Sequence, residues 1–218
     1  MKRRTLDIMF SMGGLALAGL LLIMGVLLNS NANFANNYVK DQLSQQKITF
    51  KSAALLTEEE KQSECVVKYA GQALTTGKQA ECYANEFIGL HVKAAAKGQT
   101  YAQLGEPQTK LRAQIAEAQK NSDPGLPALQ KQLADITAQR ETLFKGETLR
   151  GLLLTSYGFS VFGVKGEQVA LVAFVLFGLL LALSIAGLVH AFKTPRNVAF
   201  AAPEPVPTNG AKKVPVKA

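Results

Sequence analysis

Two long stretches without Asp, Glu, Lys or Arg set the terms on which this 218-residue chain can fold. Ile8–Leu28 spans 21 residues and Val169–Phe192 spans 24. As helices rising about 1.5 Å per residue, each reaches roughly 30 Å, the depth of a bilayer's hydrocarbon core. A helix satisfies its own backbone hydrogen bonds, which lipid demands. A buried helix of a soluble core is usually shorter and interrupted by polar residues. The two stretches therefore read as transmembrane helices. For the first there is a rival, a cleaved signal peptide, with Lys2-Arg3-Arg4 as its basic region and Ser30-Asn31-Ala32 as a small-x-small cleavage site. Its 21 apolar residues exceed the roughly 7–15 of a signal core, which favours an uncleaved anchor.

Basic residues near the span ends set the orientation. Lys2, Arg3 and Arg4 precede the first span, and Lys193 and Arg196 follow the second. By the excess of basic residues on the inner side, both termini are expected in the cytoplasm and residues 29–168 outside it. The net charge of +8 comes mainly from those ends, where eight Lys or Arg stand against Asp7 and Glu204. Such flanks suit the anionic headgroups of a cell membrane. They do not interleave with aromatics as a nucleic-acid surface would, so no nucleic-acid partner is expected.

The segment 29–168 reads as helical. Thr57-Glu58-Glu59-Glu60 opens with a capping box and acidic residues at the positive helix end, starting a helix to about Tyr69-Ala70 with Gly71 as its stop. Thr76-Gly77-Lys78-Gln79 is a second box, and Ala80, Tyr83, Ala84, Phe87 and His91 follow at helical spacing to about Gly98. A third helix starts after Pro107. Asn121-Ser122-Asp123-Pro124-Gly125 turns the chain, and Leu126, Leu129, Leu133, Ile136 and Leu143 run in heptads with Arg140 where an apolar residue was due. A turn this short predicts an antiparallel pair with one buried seam. Leu149–Phe162 is apolar and aromatic; it lies along the membrane surface or continues one helix into the span. Ile48-Thr49-Phe50 is a short extended piece. Residues 193–218 hold five of the eight prolines and read as a disordered cytoplasmic tail.

Few residues carry chemistry. Cys65 and Cys82 fall outside the membrane, in an oxidising compartment, and a hairpin of their two helices would join them in a disulfide; two unpaired thiols are the alternative. The Cys-x-x-Cys spacing of a redox pair is absent. His91 reads as a packed core or boundary histidine, and His190 lies at the inner end of the second span. Neither belongs to a ligand cluster, so no metal and no cofactor are expected. Gly77-Lys78 lacks both the preceding glycine spacing and the Ser or Thr of a phosphate loop. In the spans, Gly178, Ala182 and Ala186 recur every four residues, as do Gly14 and Ala18. Small residues let helices approach closely in lipid, so this ridge is expected to dock the spans on each other or on a partner, unless the spacing is chance.

The outer segment also resembles a family of uncharacterised actinobacterial two-span membrane proteins, some mislabelled as ring-opening dioxygenases. The resemblance lies in Asp41-Gln42-Leu43 followed by Gln46-Lys47-Ile48-Thr49-Phe50, in Tyr69-Ala70-Gly71-Gln72, in Gln79-Ala80 with Tyr83-Ala84 and Phe87-Ile88, and in Gly146–Leu154. It covers about residues 38–165 and implies topology and lineage rather than a reaction, since the ligands of a dioxygenase metal are missing.

The expected fold is an all-α membrane protein: a cytoplasmic N-terminus (1–7), a transmembrane helix (8–28), an extracytoplasmic helical-hairpin domain (29–168), a second transmembrane helix (169–192) and the tail (193–218). The expected function is non-catalytic: an accessory subunit or stabiliser of a larger cell-envelope complex, lipid-transporting or respiratory, with the bilayer and other membrane proteins as partners. An envelope sensor or apolar-ligand-binding module is the alternative.

Overall fold

The computed structural model describes residues 2–196 and 198. Six α-helices, joined by short turns, account for most of them: α1 (Arg3–Gln45), α2 (Glu64–Tyr69), α3 (Gly77–Cys82), α4 (Gly89–Ala95), α5 (Gly105–Lys120) and α6 (Leu126–Lys193). No strand occurs among the described residues, only an isolated antiparallel bridge between Thr49 and Ala73. The chain forms two compact units, one from its first 26 residues and those from Ala170 on, the other from Leu27–Val169.

In the first unit the start of α1 and the end of α6 run antiparallel, and both helices are long and apolar enough to cross a membrane. A core helix of a soluble protein would be mostly covered, yet only 17 % of either apolar window is buried. The buried positions of α1, Ser11 and Ala18, and those of α6, Ala170, Ala173, Ser184 and Ala191, are small. Large side chains such as Phe10, Leu20, Leu171 and Leu183 point outwards. Bulk outside and small residues inside is the packing expected where lipid, not water, surrounds a helix pair.

That seam takes in only half of the ridge expected from sequence to dock the spans on each other or on a partner. Gly14 and Ala18 do lie in it, but Gly178, Ala182 and Ala186 are exposed on the far face of α6. Their place is taken by Ser184, which meets Gly14, and Gly187, which meets Ser11. Seam positions of α6 alternate by three and four residues through Ala173, Phe177, Leu180, Ser184, Gly187 and Ala191, the period of supercoiled helices, whereas a strict four-residue repeat drifts off the contact. The possible cleavage site Ser30-Asn31-Ala32 lies within unbroken α1, and Ala32 is buried.

The second unit packs the short helices onto the remainder of α1 and α6. Its core includes Val39 and Leu43 of α1, Phe50, Leu56, Val66, Leu74 and Val92 of the intervening segments, and Leu143 and Leu153 of α6. The expected first outer helix is broken. Thr57 and Glu60 form their box, Glu60 N–H donating to Thr57 Oγ1 at 3.2 Å and Thr57 N–H to Glu60 Oε2 at 2.8 Å, but it starts a single 3-10 turn, Glu60–Gln62. Ser63 then starts α2 afresh. Gly71, at φ 73°, ends it in a conformation that costs an L side chain about 1 kcal/mol or more. The chain then returns beside residues 48–51, with Leu74 N–H donating to Ile48 O at 2.8 Å and Phe50 N–H to Gln72 O at 2.9 Å.

The Thr76–Gln79 capping box forms at the start of α3, but a π-helical turn, Tyr83–Ile88, separates α3 from α4. Gly98, at φ 81°, follows. Helix α5 starts at Gly105, three residues earlier than expected, because Pro107 falls in the first turn, where its missing N–H has no intrahelical acceptor anyway. Beyond the turn at 121–125, where Asp123 Oδ1 accepts from Gly125 N–H at 2.7 Å, α5 meets α6: Gln108 Nε2 donates to Thr137 Oγ1 at 2.9 Å. Leu149–Phe162 takes the second of its two expected courses, lying inside α6 with no break before Val169. Helix α1 likewise continues past Leu28 to Gln45. The expected tail lies outside the described residues beyond 198.

Candidate functional site

The second unit is organised around a buried carboxylate. Glu60 is 1 % exposed, and its Oε1 accepts from Lys51 Nζ at 2.7 Å while His91 Nε2 stands 3.3 Å away. Burial pushes the Glu60 carboxyl up, but the Lys51 ammonium, the Thr57 N–H and the His91 ring outweigh it and hold the group below its ordinary range. His91 Nδ1 lies 2.7 Å from Phe87 O, so both ring nitrogens face oxygen acceptors. An aromatic ladder runs alongside, with ring centroids 5.1 Å apart for Phe50 and Tyr83, 4.7 Å for Tyr83 and Phe87, and 4.6 Å for Phe87 and His91. Burial, then the charge of Glu60, raises the Tyr83 hydroxyl above its ordinary value. One acid thus ties the 48–56 segment, the 57–62 turn and α4 together.

Cys65 and Cys82 are joined, with Cα atoms 6.0 Å apart, so the disulfide links α2 to α3. The expected pairing is present, although the helices that carry it are shorter than the sequence suggested. His91 is half-exposed and bound to Glu60 rather than packed in the core. In the first unit, His190 Nδ1 lies 3.1 Å from Asp7 Oδ2, and the Arg4 guanidinium stands 5.6 Å from the Phe192 ring centre. Lys2, Arg3, Arg4, Lys193 and Arg196 thereby gather at one end of the antiparallel pair. The Asp7–His190 contact was not readable from sequence, because it needs the two spans to be aligned.

Two of the concavities on the second unit bear on function. The larger, about 870 Å³, lies between the 59–63 turn, the π turn with α4, the 98–102 loop and α6. Its walls mix Glu59, Glu86 and Glu147 with Lys93 and Arg150. Arg150 is fully engaged: Nε donates to Ala84 O at 3.0 Å and Nη1 to Glu147 at 2.8 and 2.9 Å. The cleft presents no preference for one charge. Among the described residues no group of three or more His, Cys, Asp or Glu is placed to hold a metal ion.

The smaller, about 360 Å³, is a groove between α1 and α6. Tyr38, Val39 and Leu43 line one wall and Leu149, Leu152 and Phe159 the other, with Ile48 at one end. Leu152 is 63 % exposed and Phe159 51 %, so large apolar groups stand open along it. Sequence showed one wall, the Leu149–Phe162 stripe. The facing wall was missed because the Asn-rich run after Leu28 hid the continuation of α1, although Phe34, Tyr38 and Gln42 recur every four residues.

Compared with protein-family models, with curated proteins and with solved structures, the chain matches none.

Proposed function

We propose that the chain is a non-catalytic, membrane-anchored accessory protein of the cell envelope. It crosses the plasma membrane twice with both termini in the cytoplasm and holds residues 29–168 outside, as an interaction domain for a larger lipid-transporting or respiratory complex. The observation that carries this reading is the Cys65–Cys82 disulfide in a unit whose two longest helices are also the two apolar ones. Disulfides persist in oxidising compartments, which supports the reading that this unit lies outside the cytoplasm. Membership of the actinobacterial two-span lineage is part of the same proposal. The test is native-size measurement after gentle detergent extraction, with mass spectrometry of what co-purifies. A defined assembly much larger than the 23.4 kDa chain in its micelle supports the subunit reading, and a lone monomer overturns it.

A second reading, an apolar-ligand-binding module, is favoured by the open apolar groove between α1 and α6.

A further inference from the structure

We infer that a pocket between the 101–108 segment and α6 binds a small carboxylate with an apolar body, gripped by Arg140. The site lies within the second unit and depends neither on the spans nor on their orientation.

Arg140 has hydrogen bonds left to give. A guanidinium carries five N–H groups. Nη1 donates to Gln108 Oε1, while Nε–H is buried and meets no acceptor. None of the ion pairs among the described residues includes Arg140. Buried polar groups without a partner are rare in folded proteins, and each calls for a water, an ion or a ligand.

The unmet edge has the shape of a carboxylate clamp. With Nη1 engaged, Nε–H and one Nη2–H lie side by side in the guanidinium plane and point the same way. Such a pair holds the two oxygens of a carboxylate by parallel hydrogen bonds. The clamp is also fixed in advance. Thr137 Oγ1 donates to Leu133 O at 2.7 Å and accepts from Gln108 Nε2 at 2.9 Å, which leaves the Gln108 Oε1 for Arg140. The Tyr101 ring covers one flat side of the guanidinium, its centre 4.1 Å from Arg140 Cζ.

Charge and lining select the guest. The pocket encloses about 260 Å³, and its one acid, Glu141, has Lys145 Nζ 3.7 Å away. Arg140 is therefore the uncompensated charge, and the guest is an anion. Tyr101 and Phe144, with ring centres 6.1 Å apart, form an apolar wall that a strongly hydrated phosphate or sulfate does not use. Phe144 stands one turn beyond Arg140, and a helical side chain leans back over the turn before it. Its ring, 61 % exposed, is thus the movable cover of the Nε edge. A carboxylate with an aromatic or branched body suits both halves, its oxygens on Arg140 and its body against Phe144.

The full chain is prepared in detergent micelles with isotope-labelled arginine, and its Nε–H resonances are followed by NMR. The Arg140 signal is assigned by its loss in Arg140→Lys, or, if that variant misfolds, by its contacts with the Tyr101 ring protons in the parent. Phenylpropionate is titrated in, with phenylpropionamide, the same body without the charge, as control. The Arg140 Nε–H is expected to move downfield and saturate with the acid and to stay in place with the amide. Exposed Arg112 on α5 stays in place with both. Phe144→Ala is expected to weaken the acid's binding about fivefold, the loss of one aromatic contact. No movement at Arg140, or equal movement with acid and amide, overturns the carboxylate site. Equal movement at Arg112 and Arg140 means general charge screening and overturns it too. Tighter binding of inorganic phosphate than of phenylpropionate, or unchanged affinity in Phe144→Ala, overturns the apolar body.

Discussion

Ser184 stands where a side chain on Gly14 would have to go. Across the same seam Ser11 stands against Gly187, so the two helices exchange a serine and a glycine in both directions. Each hydroxyl rides over a bare Cα, an approach that a β-carbon on either glycine would prevent. Gly14→Leu is therefore expected to weaken the pair by about 2 kcal/mol, within the usual range for overfilling a packed interior. Gly178→Leu, with no atom within 4 Å of the position its β-carbon would take, is expected to change little. Unfolding in mixed micelles against rising denaturing detergent separates the two variants. Equal losses would mean that the seam is on the other face.

The disulfide is expected to contribute about 3 kcal/mol, since it closes a short loop, Cys65 and Cys82 being 17 residues apart. Cys65→Ser with Cys82→Ser is expected to lower the thermal midpoint of the protein, and reductant to have no further effect on that double variant. Intact mass before and after reduction should differ by two hydrogens; an unchanged mass would mean that both thiols are free.

Glu60 makes stability depend on acid. Its folded pKa lies below the ordinary carboxyl value of 4.5, so the ionised form is the one the fold prefers. The contribution is complete above that ordinary value and is lost as pH falls towards and through the lower folded value. Glu60→Gln is expected to flatten this acid limb and to cost about 2 kcal/mol at neutral pH by weakening charge-assisted hydrogen bonds. Denaturation curves at a series of pH values check both effects; parallel acid limbs in parent and variant would show that another carboxylate is responsible.

Orientation should yield to charge. Replacing Lys2, Arg3 and Arg4 by Glu removes the basic flank of the first span while leaving Lys193 and Arg196 at the other. The parent is expected to place both ends inside and residue 100 outside, and the triple variant to give mixed or inverted chains. Cysteine labelling with a membrane-impermeant reagent in whole cells, on a chain lacking the native cysteines, reads the outcome at each position. A parent labelled at either terminus would refute the proposed topology.

How much was legible follows from where the signals were local. The uncharged stretches, the Thr76–Gln79 box, the turn at 121–125 and the cysteine pair all lie within short windows, and each has its counterpart in the structure. The misses needed a partner. Arg140 broke a heptad on paper; in the fold its guanidinium donates to Gln108 Oε1 and lies 4.1 Å from the Tyr101 ring centre, so a charged residue fills an apolar slot by stacking. The Thr57 box marked a start without fixing what followed, because Glu60 is claimed by Lys51 and His91 from outside its own turn. Gly178, Ala182 and Ala186 are not the residues of α6 that meet α1, because the antiparallel contact uses a three-and-four alternation rather than a four-residue repeat. The groove needed both α1 and α6, and only one of its walls stood out in the sequence.

The inside-out distribution of bulk in the paired apolar helices bears on how the protein is made. In water, closing that seam would hide serines, alanines and glycines while leaving the leucines and phenylalanines wet, so collapse there gains almost nothing. Assembly of the pair should therefore wait for lipid, and a nascent chain stalled short of the insertion machinery would offer chaperones its greasiest surface with no folded refuge of its own.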